Sequence, residues 1–167
     1  LKRDTNYTPI WFMRQAGRYL PEFREIRKEN ENFIKLCLNI NLVTEITLQP
    51  INRFNLDAAI IFSDILMIPY GLGQDVRFEK NFGPILGALN LDQIIKTDSV
   101  DFIEKIIPVY KAINKTKKKL NNKNLIGFVG APWTLLLYML NRKSPKNNFN
   151  INFLLKDKFL VNRLLKK

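Results

Sequence analysis

Two arginines four residues apart, in "WFMRQAGRYLPEF" (residues 11–23), are the first groups in this sequence with chemistry to offer. Arg14 and Arg18 carry charge that no working pH removes, and each guanidinium is a planar fork matched to a carboxylate or a phosphate. Gly17 between them lets the chain turn or come close to a ligand. Glu22, Glu25 and Asp64 are the acids that would pair with these arginines if their role were structural. Asp64 ends the apolar run "LDAAIIFSD" (56–64), where an unpaired carboxylate is costly. It reads either as a helix cap or arginine partner, or as a carboxylate aimed at donors on a ligand. Tyr138, inside "TLLLYML", is either core or a hydroxyl held near a reacting group.

Other chemistries lack their parts. The sequence contains no histidine, so it has no Ser-His or Cys-His couple and no imidazole metal site. Cys37 is the single cysteine, which excludes an internal disulfide and a cysteine zinc cage. A free cysteine of this kind reads as a small buried apolar residue in a reducing, cytoplasmic setting. "YGLGQD" (70–75) has a G-x-G but no third glycine, and reads as a simple turn rather than a phosphate loop. The residues thus offer no nucleotide loop, metal cage or nucleophile couple.

The elements that must hold these groups alternate. "TPIWFMR" (8–14), "LDAAIIFSD" (56–64) and "LIGFVGAPW" (125–133) read as buried strands. "PEFREIRKE" (21–29) opens with proline at a helix start. Residues 32–54 carry a helical apolar face that Pro50 should kink or divide. Residues 92–120 read as mostly helical from about Val100, and "TLLLYMLNRK" and "NFLLKDKFLVNRLLKK" as two further helices. Near-continuous apolar strands separated by helices indicate a parallel sheet covered on both faces. In such folds ligands gather at the carboxyl ends of strands. Arg14, Ser63-Asp64 and "GAPW" leading to Tyr138 all occupy such ends.

With 167 residues, 46% of them hydrophobic and 25% charged, the chain is long enough for one globular domain with a core. No apolar stretch approaches the length of a membrane span. The net charge of +12 raises the alternative of a basic nucleic-acid-binding module. The lysines are spread out, however, with their densest run in "KTKKKLNNKNL" (115–125), which reads as an exposed, poorly structured connection. No nucleic-acid partner is therefore expected.

The segments "PIWFMRQAGRYLPEFREIR", "VTEITLQPINRFNLDAAIIFSDILMIPYGLG", "VRFEKNFGP" and "LIGFVGAPWTLLLYML" occur in this order. Together they closely resemble the amino-terminal half of the uroporphyrinogen decarboxylase family. The resemblance implies a (β/α)8 TIM barrel, of which residues 1–167 would form an incomplete amino-terminal part with about three parallel strands and covering helices. It implies a cytoplasmic homodimeric lyase of haem and porphyrin biosynthesis that uses neither metal nor organic cofactor. That enzyme turns the four acetate side chains of uroporphyrinogen III into methyls, giving coproporphyrinogen III. Arg14, Gln15, Ala16, Gly17 and Arg18 match the family's substrate-binding loop, and Arg14 also a catalytic position. Asp64 matches the aspartate that reaches the pyrrole N–H groups, and Tyr138 a tyrosine near the reacting acetate. The family's serine and histidine come from later strands, so the chain is expected to be truncated and, by itself, inactive. A related barrel methyltransferase acting on corrinoid or thiol substrates is the alternative within the same fold.

Overall fold

The structure is a computed structural model describing residues 7–144 and 156–167. It is mixed α/β. The chain packs as two compact units: Leu1–Glu31, Lys35–Ser63 and Pro108–Phe128 form the first, and Asn32–Ile34, Asp64–Ile107 and Val129–Lys167 the second.

In the first unit, helix α1 (Pro21–Glu29) starts as expected with proline at its first position, where a missing N–H costs nothing. Its buried Phe23 meets Phe62 edge to face at 5.8 Å. The helical face of residues 32–54 is divided, but at Asn39 and not at Pro50. Helix α2 (Phe33–Leu38) ends there, and the Asn39 side chain caps α3 (Ile40–Phe54) by accepting from the Asn41 and Leu42 amides. Capping satisfies amides that a new helix leaves open, so the asparagine sets the boundary. Pro50 stays inside α3, fully buried.

Strand β1 (Ala58–Ile60) and strand β4 (Asn124–Ile126) pair in parallel, with Ala58 opposite Asn124 and Ile60 opposite Ile126. Ile51, Leu56, Ala59 and Leu120 pack together on one side, and Val43, Ile61 and Ala112 form a second cluster with Ile113 and Leu125 at its margin. The expected strand over 8–14 does not form and makes no strand ladder. Its attachment is a clamp on Asp57, whose carboxylate accepts from the Tyr7 hydroxyl (2.6 Å) and the Ile10 amide (2.7 Å). Nor is it buried: Trp11, Phe12 and Met13 are 46%, 59% and 80% exposed. An apolar run reports an affinity for burial, and these side chains meet no covering layer among the described residues.

The lysine-rich stretch is exposed at Lys117, Lys118 and Lys119 as expected, but it lies in the helix expected over 92–120 and not in a poorly structured connection. Residues 115–119 are the last turn of α6 (Ser99–Lys119), held by fully buried Thr116, whose hydroxyl lies 3.3 Å from that of Thr44 on α3. Lys117, Lys118 and Lys119 crowd the helix's carboxyl end, where the macrodipole favours cations. Only Leu120–Lys123 connects α6 to β4.

The second unit contains α4 (Met67–Gly71), and "YGLGQD" is its exit turn, with Gly73 at φ +93°. A hairpin follows, β2 (Val76–Glu79) antiparallel to β3 (Gly83–Leu86), turning through Asn81 and Gly83 at positive φ. The described residues therefore hold one parallel pair and one antiparallel pair, in place of about three parallel strands. Helix α5 (Leu91–Lys96) precedes α6, and Asp98 caps the α6 start through the Val100 and Asp101 amides. Helix α7 (Pro132–Asn141) packs through Leu136 against Val161 of α8 (Lys158–Leu165). Residues 152–155 of the last expected helix lie outside the described residues.

Candidate active site

Gln15 opens the arginine loop and is 4% exposed. Its amide nitrogen donates to the Ala58 carbonyl (2.8 Å) and its amide oxygen accepts from the Ile60 amide (3.0 Å). Those two backbone groups point to the same edge of β1, while Ile61 on the other edge donates to the Ile126 carbonyl (3.0 Å). One side chain thus stands where a neighbouring strand would. Leaving both groups open would cost about 1–3 kcal/mol each.

The rest of the loop is tied to α1. The Tyr19 hydroxyl donates to the Gln15 carbonyl. One guanidinium nitrogen of Arg24 donates to the Arg18 carbonyl (2.8 Å) and the Tyr19 carbonyl (3.3 Å). The Leu20 amide donates to the Gly17 carbonyl (3.0 Å), and Leu20 is buried. Ala16 and Gly17 are half-buried within this turn. Gly17 is not in the left-handed region, and an added Cβ would meet only the Tyr19 ring at 3.5 Å, an ordinary contact. Its conformation therefore does not require glycine.

With the Gln15, Gly17, Arg18 and Tyr19 carbonyls engaged, the Arg14 and Arg18 side chains remain exposed. Among the described residues neither forms an ion pair, because Glu22 is engaged by Arg53 of α3 in a two-pronged contact at 2.8 and 3.1 Å. The arginine-pairing alternative for Glu22 thus goes to a different arginine. Arg14 lies on a pocket of about 260 Å³ whose other walls include Phe12, Tyr19 and Phe54. A cation beside aromatic walls suits a ligand with both carboxylate and ring surface.

In the second unit, Asp64 is half-buried and bends the chain into α4. Its Oδ1 accepts from the Leu66 amide (2.8 Å) and its carbonyl from the Met67 amide (3.2 Å). The capping alternative is therefore realised, and no cation pairs with it among the described residues. Burial pushes the Asp64 carboxyl above the ordinary aspartate value of 3.8, opposed by the Leu66 amide bond. Tyr138 sits on α7 between buried Leu135 and Met139, itself half-buried, with its hydroxyl 3.4 Å from that of Ser144. It is not plain core.

The structure thus places Arg14 to Arg18 in the first unit and Asp64 and Tyr138 in the second. Three supporting groups escape a reading by residue type: Gln15 as a strand surrogate, Arg24 as the loop's tie, and Asp57 as the clamp on Tyr7 and Ile10. Tyr7 is the main reason the Asp57 carboxyl titrates below its usual range. An acid one residue before an apolar strand was the available signal for the clamp. No group of three or more acids, cysteines or histidines that could hold a metal occurs among the described residues. No helix among them is long and apolar enough to cross a membrane.

The comparisons agree with the motifs. Residues 1–167 match the family described as "Uroporphyrinogen decarboxylase (URO-D)". The chain is 46% identical over 168 aligned residues to the uroporphyrinogen decarboxylase of Rickettsia felis, covering 99% of this chain and 48% of that protein. It is 47% identical to that of Rickettsia canadensis, covering 99% of this chain and 49% of that protein. It therefore spans about half the length of the curated relatives it matches. Among solved structures, a methyltransferase from Methanosarcina mazei superposes with a TM-score of 0.66 at 14% identity, covering 98% of this chain and 48% of that one. At that identity the likeness concerns the fold alone. With the family match running the whole length of the sequence, the chain belongs to the uroporphyrinogen decarboxylase family.

Proposed function

We propose that this chain supplies the amino-terminal half of a uroporphyrinogen decarboxylase, a homodimeric cytoplasmic (β/α)8-barrel enzyme. It takes uroporphyrinogen III to coproporphyrinogen III by removing CO2 from each of four acetate side chains. The observation that carries this reading is the pair of exposed arginines, Arg14 and Arg18, on a loop whose Gln15, Gly17, Arg18 and Tyr19 carbonyls are engaged from within the fold. Two fixed forks with no ion pair among the described residues suit a substrate rich in carboxylates.

The chemistry needs an electron sink. Breaking the bond between an acetate methylene and its carboxylate leaves an electron pair on carbon. Protonating the adjacent pyrrole carbon first makes the ring an iminium cation that takes up this pair. CO2 leaves, a second proton converts the resulting exocyclic methylene to a methyl, and loss of the first proton from the ring carbon restores the pyrrole, so each acetate takes up one proton net. The reaction consumes no oxidant, and these steps ask for no metal or organic cofactor.

In this scheme the Asp64 carboxylate accepts the pyrrole N–H groups and stabilises the cation more than the neutral ring. A charge pair near 4 Å contributes about 4 kcal/mol at an effective dielectric near 20, roughly a thousandfold in rate. Arg14 and Arg18 hold acetates, and Tyr138 places its hydroxyl beside the reacting one. Arg14 orients and does not donate the proton, since a guanidinium is a poor acid. Gln15, Ala16 and Gly17 line the same loop. The raised Asp64 carboxyl fits a group kept partly out of water until a cation develops.

The test is turnover of uroporphyrinogen III by the full-length enzyme, with products separated by carboxylate number. Four successive CO2 losses ending at coproporphyrinogen III are expected, and Arg14→Gln should cut turnover by about a hundredfold or more. Absence of any carboxylate loss by the unmodified enzyme would refute the reading.

A further inference from the structure

The carboxylate-binding arginines are only as useful as the loop that aims them, and the loop's geometry is maintained by residues that point elsewhere. Three groups converge on its backbone. Gln15 grips the open edge of β1 with both ends of its amide. The Tyr19 hydroxyl closes the loop onto the Gln15 carbonyl. Arg24, one turn into α1, bridges the Arg18 and Tyr19 carbonyls at 2.8 and 3.3 Å.

A third arginine so near the pair invites the assumption that all three bind anions. The geometry separates them: Arg24 faces two backbone carbonyls, whereas the Arg14 and Arg18 side chains carry no partner among the described residues. The same holds for Gln15, whose amide is used at both ends inside the fold and has one donor hydrogen left.

We infer that Gln15 and Arg24 are positioning residues that pre-organise the Arg14–Arg18 loop for a polycarboxylate, and that neither binds the substrate through its side chain. This rests on the decarboxylase reading above. Two carbonyls converging on one guanidinium hold Arg18 at a set angle to α1, and the Gln15 amide ties the other end of the loop to β1. A loop held at both ends loses less freedom when a ligand arrives, which is how pre-organisation raises affinity.

The test is a double-mutant cycle on the full-length enzyme, using uroporphyrinogen III. Arg24→Met is expected to raise KM about tenfold with a much smaller change in kcat, because a misaimed clamp weakens binding. In an Arg18→Gln background the same Arg24→Met change should alter KM less than about twofold, since its effect passes through Arg18. A residue that only supported the fold would lower the folded amount and give equal, independent effects in both backgrounds; that outcome would overturn the inference. Arg24→Lys, with one compact cation in place of the fork, should recover part of the KM.

A second arm does not depend on turnover. Amide hydrogen exchange should quicken at Leu20 in Arg24→Met and at Ile60 in Gln15→Leu, with core amides of α3 unchanged. Unchanged protection at both amides would also overturn the inference. If the unmodified enzyme shows no decarboxylation, the preceding section's reading fails, and the exchange arm alone decides the brace.

Discussion

Replacing Asp64 by asparagine should move activity and stability in opposite directions. The side-chain oxygen of asparagine can still accept from the Leu66 amide, now at 2.8 Å, so the bend into α4 survives. What disappears is the charge. On the proposed mechanism, turnover loses the carboxylate's attraction for the developing cation, about 4 kcal/mol, or roughly a thousandfold in kcat. The fold gains, because burial pushes the Asp64 carboxyl above 3.8 and its ionised form is a strain on the native state. The sign follows from proton linkage. A carboxyl that titrates higher in the fold than in the unfolded chain holds its proton more tightly when folded. Its contribution is therefore most favourable below 3.8 and declines as pH rises, reaching its full penalty above the folded value. Thermal melts of the full-length enzyme and its Asp64→Asn variant from acid to neutral pH should show the variant more stable at neutrality. That advantage should vanish near the low end of the range. The wild type's acid limb of kcat/KM, which reports the free enzyme, should lie above the ordinary aspartate value, and the variant should lack that limb. A variant with near-normal turnover would refute the assigned role, and one that is less stable at neutral pH would refute the electrostatic account of the site.

Three further outcomes test the scaffold. Gly130→Ala would put a Cβ 2.7 Å from the Leu135 methyl and 3.1 Å from Ile65, so overpacking beside α7 should cost about 1–3 kcal/mol in denaturant unfolding. Gly17→Ala meets no such obstacle, and its stability should stay within about 0.5 kcal/mol; a large activity loss there would locate the need for glycine in the ligand. Asn39→Ala should remove the cap of α3 and cost about 1 kcal/mol by the same measurement.

The residues most legible in the sequence were those whose local chemistry leaves one good option. Pro21 announced α1, because proline at a first helical position gives up no bond. The run 56–64 announced β1, and Gly73 announced a turn. Cys37, expected to be a small buried apolar residue, is 1% exposed. The hairpin of β2 and β3 was also within reach: "VRFE" alternates, and Asn81 and Gly83 are residues that tolerate positive φ. The errors came from reading composition as environment. "KTKKK" looked like a loose connection because lysine is soluble, yet Thr116 among them is fully buried against α3. Pro50 looked like a break because its cost is local, whereas Asn39 ended one helix and began the next through its side chain.

The order of motifs, the paired arginines, the strand-end aspartate and the absence of histidine were determined by the sequence alone, since residue identity and spacing need no partner. Family membership follows from that same string. Which arginine is available was decided only by the tertiary structure. Glu22 sits four residues from Arg18 yet engages Arg53, brought to it from α3. Gln15, a polar residue in a loop, becomes a rung on β1 only when β1 lies beside it. Arg24 differs from Arg14 and Arg18 in nothing but position, and its carbonyl partners exist only once the loop has turned. Hydrogen bonds depend on distance and angle, and those are properties of the folded chain.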